Sequence, residues 1–375
     1  MEKERYGIIF SVTFLLALGI IMIFSTGSVD EEGPLASRLF LKHLSWMALS
    51  IGGLLAVSRI DYHFYQRHAL KLLIAVFILL VIVLIPGVGY AAHGARRWLR
   101  AGPVGFQPSE FAKFALIIFF ASFLTRRKER IKGFLATFLP AMLILALTAG
   151  LILKEPDLGT AGLICIVALV LFFVAGVRFS YLLGFGALSA SLTYIILWPR
   201  FDYWQGRIQS FLNPWEDPQG GGYQIIQSLI ALGRGGLGGV GFGASQQKLF
   251  FLPAARTDFL LAILGEEMGF LGTAFIVLLY TIFLYAGMSI ARKAQDFFGF
   301  LLAFGFTFGI GLQAAINIAV VTASVPTKGL SLPFVSFGGS SLLFSMLSAG
   351  ILLNISQRKA VVEDIPKWVG VQDVS

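Results

Sequence analysis

The sequence predicts an all-α, polytopic membrane protein with ten transmembrane helices, both termini cytoplasmic and a large extracytoplasmic loop between helices 7 and 8. Three observations predict it. Of the 375 residues, 57% are hydrophobic and 13% charged, roughly half the charged share of a soluble chain; the mean hydropathy is +0.82. Apolar runs long enough to span a bilayer recur between short polar loops. Residues 125–132, TRRKERIK, put five basic side chains into eight positions of one such loop, which keeps it in the cytoplasm. The whole chain, 1–375, reads as a single transmembrane domain, with 199–257 as the large extracytoplasmic loop within it.

Taken in order, a mixed-charge leader precedes the first apolar run, 8–25, and no small-residue cleavage pattern follows it, so a retained span is expected. The acidic patch 30–32 marks the outer side. Residues 41–57 return to a basic, aromatic loop at 59–71, and 72–88 cross outward. The fourth run, 111–124, reaches span length only with the segment before it. Runs 134–153, 158–177 and 181–198 follow, then the long loop, then 259–290, 297–321 and 342–355. The net charge of +9 is divided among loops between spans and gathers into no patch that would bind nucleic acid. The single cysteine, Cys165, lies in an apolar run and excludes an internal disulfide or a cysteine metal site.

Four polar stretches fall on the expected outer side. In 94–113, GARRWLRAGPVGFQPSEFAK, the opening part suits an amphipathic surface segment anchored by Trp98, with Pro108 in the first turn of the fourth span and Ser109 as its cap. Arg96 and Arg97 suit either an anionic substrate or lipid headgroups. Glu110 and Lys113, three apart, share a helix face as either a structural ion pair or a cavity lining. In 154–160, KEPDLGT, Pro156 interrupts a helical run, Asp157 suits a helix cap, and Lys154 either snorkels or meets a phosphate. In the long loop, the run GRGGLGGVGFG lacks the Gly-Lys-Ser/Thr of a phosphate loop and suggests close backbone approach to a ligand or the membrane surface, after a short interfacial helix at 223–232. In 326–341, prolines and glycines forbid one simple helix, and Lys328 is the only charge, a candidate phosphate ligand. Asn317, in the span before it, suits a helix–helix hydrogen bond.

The long loop ends in FFLPAARTDFLLAILGEEMG, residues 250–269. It sets Arg256, Thr257 and Asp258 at the entry to an apolar helix, with Glu266 and Glu267 two turns deeper. Carboxylates at that depth require a cavity, a partner or a chemical role.

The blocks GARRW with PSEFAK, PDLGT, TDF with a downstream GEE, and PTKG with LPFVSFGGSS resemble, in order and spacing across nearly the whole chain, those of the SEDS (shape, elongation, division and sporulation) family of bacteria. The PTKG form is more similar to the cell-division branch and its sporulation relatives than to the rod-shape branch. The resemblance implies a ten-span, SEDS-type peptidoglycan glycosyltransferase that polymerises lipid II on the outer face of the bacterial cytoplasmic membrane. It maps the family's essential aspartate onto Asp258, and other functional positions onto Glu110, Lys113 and Lys328. Arg256 stands where the family commonly has histidine. It also implies a class B penicillin-binding protein as partner, a transpeptidase, together with other division or elongation membrane proteins.

Chemically, the diphosphate leaving group of lipid II needs charge stabilisation, for which Arg96, Arg97, Lys154 and Lys328 form the pool, and a divalent cation such as magnesium or manganese could share that task. Asp258 is expected to act as general base on the sugar 4-hydroxyl, with its ionised form favoured by the helix start and by Arg256 if that side chain faces it. A lipid-linked precursor flippase and a non-catalytic division scaffold are the alternatives; polar groups concentrated on one face argue against the first, and external charges in apolar surroundings against the second.

Overall fold

The computed structural model describes residues 1–27, 38–92, 95–102, 104–197, 209–249, 251–327 and 329–358. Among them nine helices are long and apolar enough to cross a membrane: α1 (Glu2–Gly27), α2 (Arg38–Arg59), α3 (Tyr62–Leu84), α4 (Pro108–Arg126), α5 (Leu139–Lys154, extended at its start by a π-helical turn), α6 (Leu158–Ala175), and three more after the long loop. A further helix, α7 (Phe179–Leu197), stands where the seventh span is expected, but its described apolar part, Phe179–Ser189, is shorter than a span. The short α8 (Tyr223–Gly235) lies in the long loop, followed by α9 (Leu260–Arg292), α10 (Phe297–Val321) and α11 (Gly339–Gln357).

The packing explains why the fourth apolar run looked short. Helix α4 starts at Pro108, whose missing N–H costs nothing in a first turn, and 72% of its central stretch is buried inside the bundle, against 28% for α3. An enclosed helix needs no uniformly lipophilic surface, so Ser109, Glu110 and Lys113 sit in its first two turns. The N-cap is Gln107, whose amide bonds Ser109 Oγ at 3.0 Å, so Ser109 itself does not cap.

Before α4 the chain is not helical. The stretch expected as an amphipathic surface segment is a three-stranded antiparallel sheet, β1 (Gly89–Ala92), β2 (Ala95–Ala101) and β3 (Val104–Phe106), with Gly89 opposite Leu99 and Leu99 opposite Phe106. The pairing shifts register between Tyr90 and Ala91, which oppose Trp98 and Arg96, so Arg97 is an extra residue in β2 and interrupts its alternation.

Helix α9, at 33 residues, is about 50 Å long and exceeds the ~30 Å hydrocarbon core. It is interrupted at Gly269, with φ 65° and ψ −161°. The glycine-rich run docks beside this break and satisfies its backbone: Val240 N and Gly241 N donate to the carbonyls of Glu266 and Glu267 (3.0 and 3.1 Å), while Phe270 N and Leu271 N donate to those of Gly236 and Leu237 (2.9 and 3.1 Å). A Cβ at Gly239 would lie 2.1 Å from the Glu267 carbonyl oxygen. The close approach expected toward a ligand or the membrane surface is therefore an approach to the protein's own helix.

Both deep glutamates have partners there. Glu266 accepts from Ser245 Oγ and from the backbone of Gln246 and Gln247; Glu267 accepts from Ser25 Oγ at 2.6 Å and Lys248 Nζ at 3.0 Å. Lys248 is itself buried, so α1, α9 and the loop are joined by one desolvated ion pair.

The opposite end of the bundle holds a second polar junction. His63 lies between Asp61 (Nδ1 to Oδ1, 2.9 Å) and Asp296 (Nε2 to Oδ2, 2.6 Å), and Arg358 pairs with Asp61 at 2.9 Å. It links the α2–α3 turn, the α9–α10 turn and the end of α11.

Candidate active site

Three helix breaks meet at one end of the bundle around a cavity of about 690 Å³. The α5–α6 turn supplies Asp157, the turn before α9 supplies Asp258, and the irregular chain after α10 supplies Pro326, Thr327 and Gly329; Arg97 reaches in from β2, and Tyr223 and Gln224 from the start of α8. Irregular backbone at membrane depth is stable where it lines such a space.

Asp258 is placed by local turn chemistry. Ala254, in the left-handed region at φ 55°, curls the chain so that its carbonyl accepts from the backbone N–H of Thr257, Asp258 and Phe259 at 3.0, 3.1 and 3.2 Å. The Asp258 carbonyl in turn accepts from Asn317 Nδ2 at 2.8 Å. Its carboxylate abuts Gly329, where a Cβ would sit 3.0 Å from Oδ2. Burial pushes the Asp258 carboxyl up to about 6, with the charge of Asp157 acting in the same direction and the Thr257 hydrogen bond and Arg97 opposing. The expectation of a favoured ionised form is thus reversed in sign: desolvation outweighs the helix start. Arg256 donates to the carbonyl of Thr26 at 2.9 Å and does not line the cavity.

Arg97 donates from Nε to the carbonyl of Glu155 at 3.0 Å and from Nη2 to that of Pro156. These carbonyls follow the end of α5, where no later turn of helix can satisfy them. Asp157 caps α6 through the backbone N–H (3.0 Å) and hydroxyl (2.8 Å) of Thr160, and it also lines the cavity, so its capping role does not remove it from the site. Between them Glu155 is fully buried, with neither carboxylate oxygen hydrogen-bonded. Burial, aided by Asp157, pushes its carboxyl up to about 8 against the opposing charge of Arg97.

The other sequence candidates are dispersed. Glu110 and Lys113 form a 2.8 Å ion pair, but they line a separate small cavity of about 60 Å³ among α4, α6, α10 and α11. Lys154 and Arg96 are exposed and lie off the Asp258 cavity wall. Lys328 lies outside the described residues. Among the described residues no group of three His, Cys, Asp or Glu side chains could hold a metal ion, so no magnesium or manganese ion is assigned to protein ligands. Sequence reasoning missed Gln313, which accepts from Lys113 Nζ at 2.7 Å. Its signal was present: Gln313 and Asn317, four apart, are amides in an otherwise apolar span.

Residues 6–361 match the family model FTSW_RODA_SPOVE, described as cell cycle protein. The chain is 42% identical over 361 residues to the probable peptidoglycan glycosyltransferase FtsW of Geobacter sulfurreducens, covering 95% of this chain and 96% of the relative. It is 41% identical over 347 residues to stage V sporulation protein E of Bacillus subtilis, covering 92% and 94%. Among solved structures, a chain from "Structural coordination of polymerization and crosslinking by a peptidoglycan synthase complex" is similar with TM-score 0.78 and 29% identity, over 94% of this chain and 97% of that one. The crystal structure of the Thermus thermophilus rod shape determining protein RodA is similar with TM-score 0.67 and 25% identity, over 96% and 98%. With a family match across 6–361 and relatives aligned end to end, the chain belongs to the FtsW/RodA/SpoVE family, the SEDS proteins.

Proposed function

We propose that the protein is a peptidoglycan glycosyltransferase that polymerises lipid II on the outer face of the cytoplasmic membrane, during cell division or elongation. The observation that carries this is Asp258, a half-buried carboxylate raised to about 6 in the wall of a large cavity that Arg97 also lines. Such a carboxylate is ionised at neutral pH yet a stronger base than a solvated aspartate.

In the proposed step the acceptor sugar's 4-hydroxyl attacks the donor's anomeric carbon as Asp258 takes its proton. The new C1–O4 bond forms while the C1–O bond to the diphosphate breaks, and undecaprenyl diphosphate leaves as the anion. Attack opposite the leaving group inverts an α-linked donor to a β-1,4 linkage. Arg97 stabilises the diphosphate in this reading, which its two carbonyl bonds and its place in the cavity wall support.

An outward-facing cavity is supported by charge: Arg126, Arg127, Lys128, Arg130, Arg292 and Lys293 gather at the opposite end of the bundle. The similarity to a chain of a peptidoglycan synthase complex joining polymerization and crosslinking supports a class B penicillin-binding protein as partner. The test is polymerisation of purified lipid II in liposomes with a glycosyltransferase-inactive partner. Glycan from wild type and none from Asp258→Asn, with lipid II still bound, is expected; near-normal glycan from Asp258→Asn would overturn the assignment.

A further inference from the structure

The Glu110–Lys113 pair and Asp258 line different cavities, yet two amides on α10 join them. Gln313 accepts from Lys113 Nζ at 2.7 Å and donates from Nε2 to the carbonyl of Ser331 at 2.8 Å. One turn further, Asn317 Nδ2 donates to both the Asp258 carbonyl (2.8 Å) and the Leu330 carbonyl (2.7 Å). Gln313 and Asn317 are 5% and 1% exposed, so little water competes for these bonds.

The partners fix the sense of each amide. Both N–H groups of Asn317 meet carbonyls, so a flipped amide would set oxygen against two acceptors; a flipped Gln313 would present N–H groups to an ammonium. The two carbonyls held at 330 and 331 belong to the irregular segment whose Gly329 abuts the Asp258 carboxylate. Asp258 is thereby fixed from two sides by α10, through its own carbonyl and through the chain that walls its carboxylate.

We propose that Gln313 and Asn317 are positioning residues for glycosyl transfer: they set the distance between the Asp258 turn and the 329–331 segment, and they make it depend on Lys113. The inference rests on reading Asp258 as the base. A merely structural role would reduce the amount of folded protein and leave the turnover of each folded molecule unchanged. A positioning role lowers turnover itself, because displacing a base by about 1 Å costs on the order of 100-fold.

The experiment compares wild type, Asp258→Asn, Asn317→Ala, Gln313→Leu and Gln313→Glu, each with the penicillin-binding partner and lipid II, normalised to the monodisperse folded fraction. The expected result is a kcat reduced roughly 10- to 100-fold in Asn317→Ala and Gln313→Leu with KM within about twofold, and a displaced acid limb of the pH profile. Gln313→Glu keeps an acceptor for Lys113 but loses the donor to the Ser331 carbonyl, so it stays as slow as Gln313→Leu and serves as the readout if Asn317→Ala does not fold. Wild-type kcat and pH profile in folded Asn317→Ala, or a wild-type kcat in Gln313→Glu, would overturn the inference. Activity in Asp258→Asn would instead overturn the proposed function, so the two failures are distinguishable.

Discussion

Arg97 Nε donates to the carbonyl of Glu155 across 3.0 Å, so a strand residue 58 positions earlier closes the end of α5. A guanidinium can bridge two carbonyls and still present donors to a ligand, because its five N–H groups lie in a rigid fork. A lysine cannot. Arg97→Lys is expected to raise the KM for lipid II about tenfold and to lower the melting temperature, measured by polymerisation kinetics and thermal unfolding in detergent. Unchanged kinetics would remove Arg97 from the proposed diphosphate site.

The Asp258 carboxyl is held at about 6 by burial, and a general base works only when ionised. kcat/KM should therefore fall as pH drops through about 6, roughly tenfold per unit below it. A profile whose acid limb falls near 4, the range of a solvated aspartate, would show that burial does not raise the catalytic base.

Glu155 gives a pH dependence in stability. Its carboxyl is near 4.5 when unfolded and about 8 when folded, so between these values the folded chain holds a proton that the unfolded chain has lost. Stability from this group is complete below about 4.5 and declines as pH rises toward 8. Glu155→Gln removes the decline; its melting temperature should exceed that of wild type at pH 8, with the difference closing at pH 5.

Lys248 and Glu267 form a buried pair 3.0 Å apart. Glu267→Gln strands the ammonium, and breaking such a pair from one side costs about 3–5 kcal/mol. Lys248→Met/Glu267→Gln should regain part of that loss, read as resistance to proteolysis of the long loop. No recovery in the double variant would mean that Glu267 acts chiefly through Ser25.

Legibility differed by kind of interaction. The spans were readable because apolar length is a one-dimensional property, and Asp258 was readable because an aspartate at the mouth of an apolar helix is anomalous wherever it occurs. The three-stranded sheet was not: Arg96, Arg97 and Trp98 satisfy both an amphipathic helix and a strand, and only the pairing with 89–92 decides between them. The sign of the Asp258 shift depends on how completely the cavity walls exclude water, which is set by Gly329 and other residues remote in sequence. Arg256 was near the site in sequence, but its side chain turns to Thr26 on α1. Asn317 was read as a helix–helix bonder; its partners are instead the backbones of two loops.

Surface loops ordinarily tolerate insertions and deletions. The segment 236–241 is different, because it completes the hydrogen bonding of α9 on both sides of Gly269. One added residue would shift every later donor off its acceptor, leaving helix carbonyls unanswered at membrane depth. Variation in this loop is therefore confined to substitution, and at Gly239 even a methyl group is too large. Its length is set by the pitch of a transmembrane helix, as though it were a detached strand of that helix.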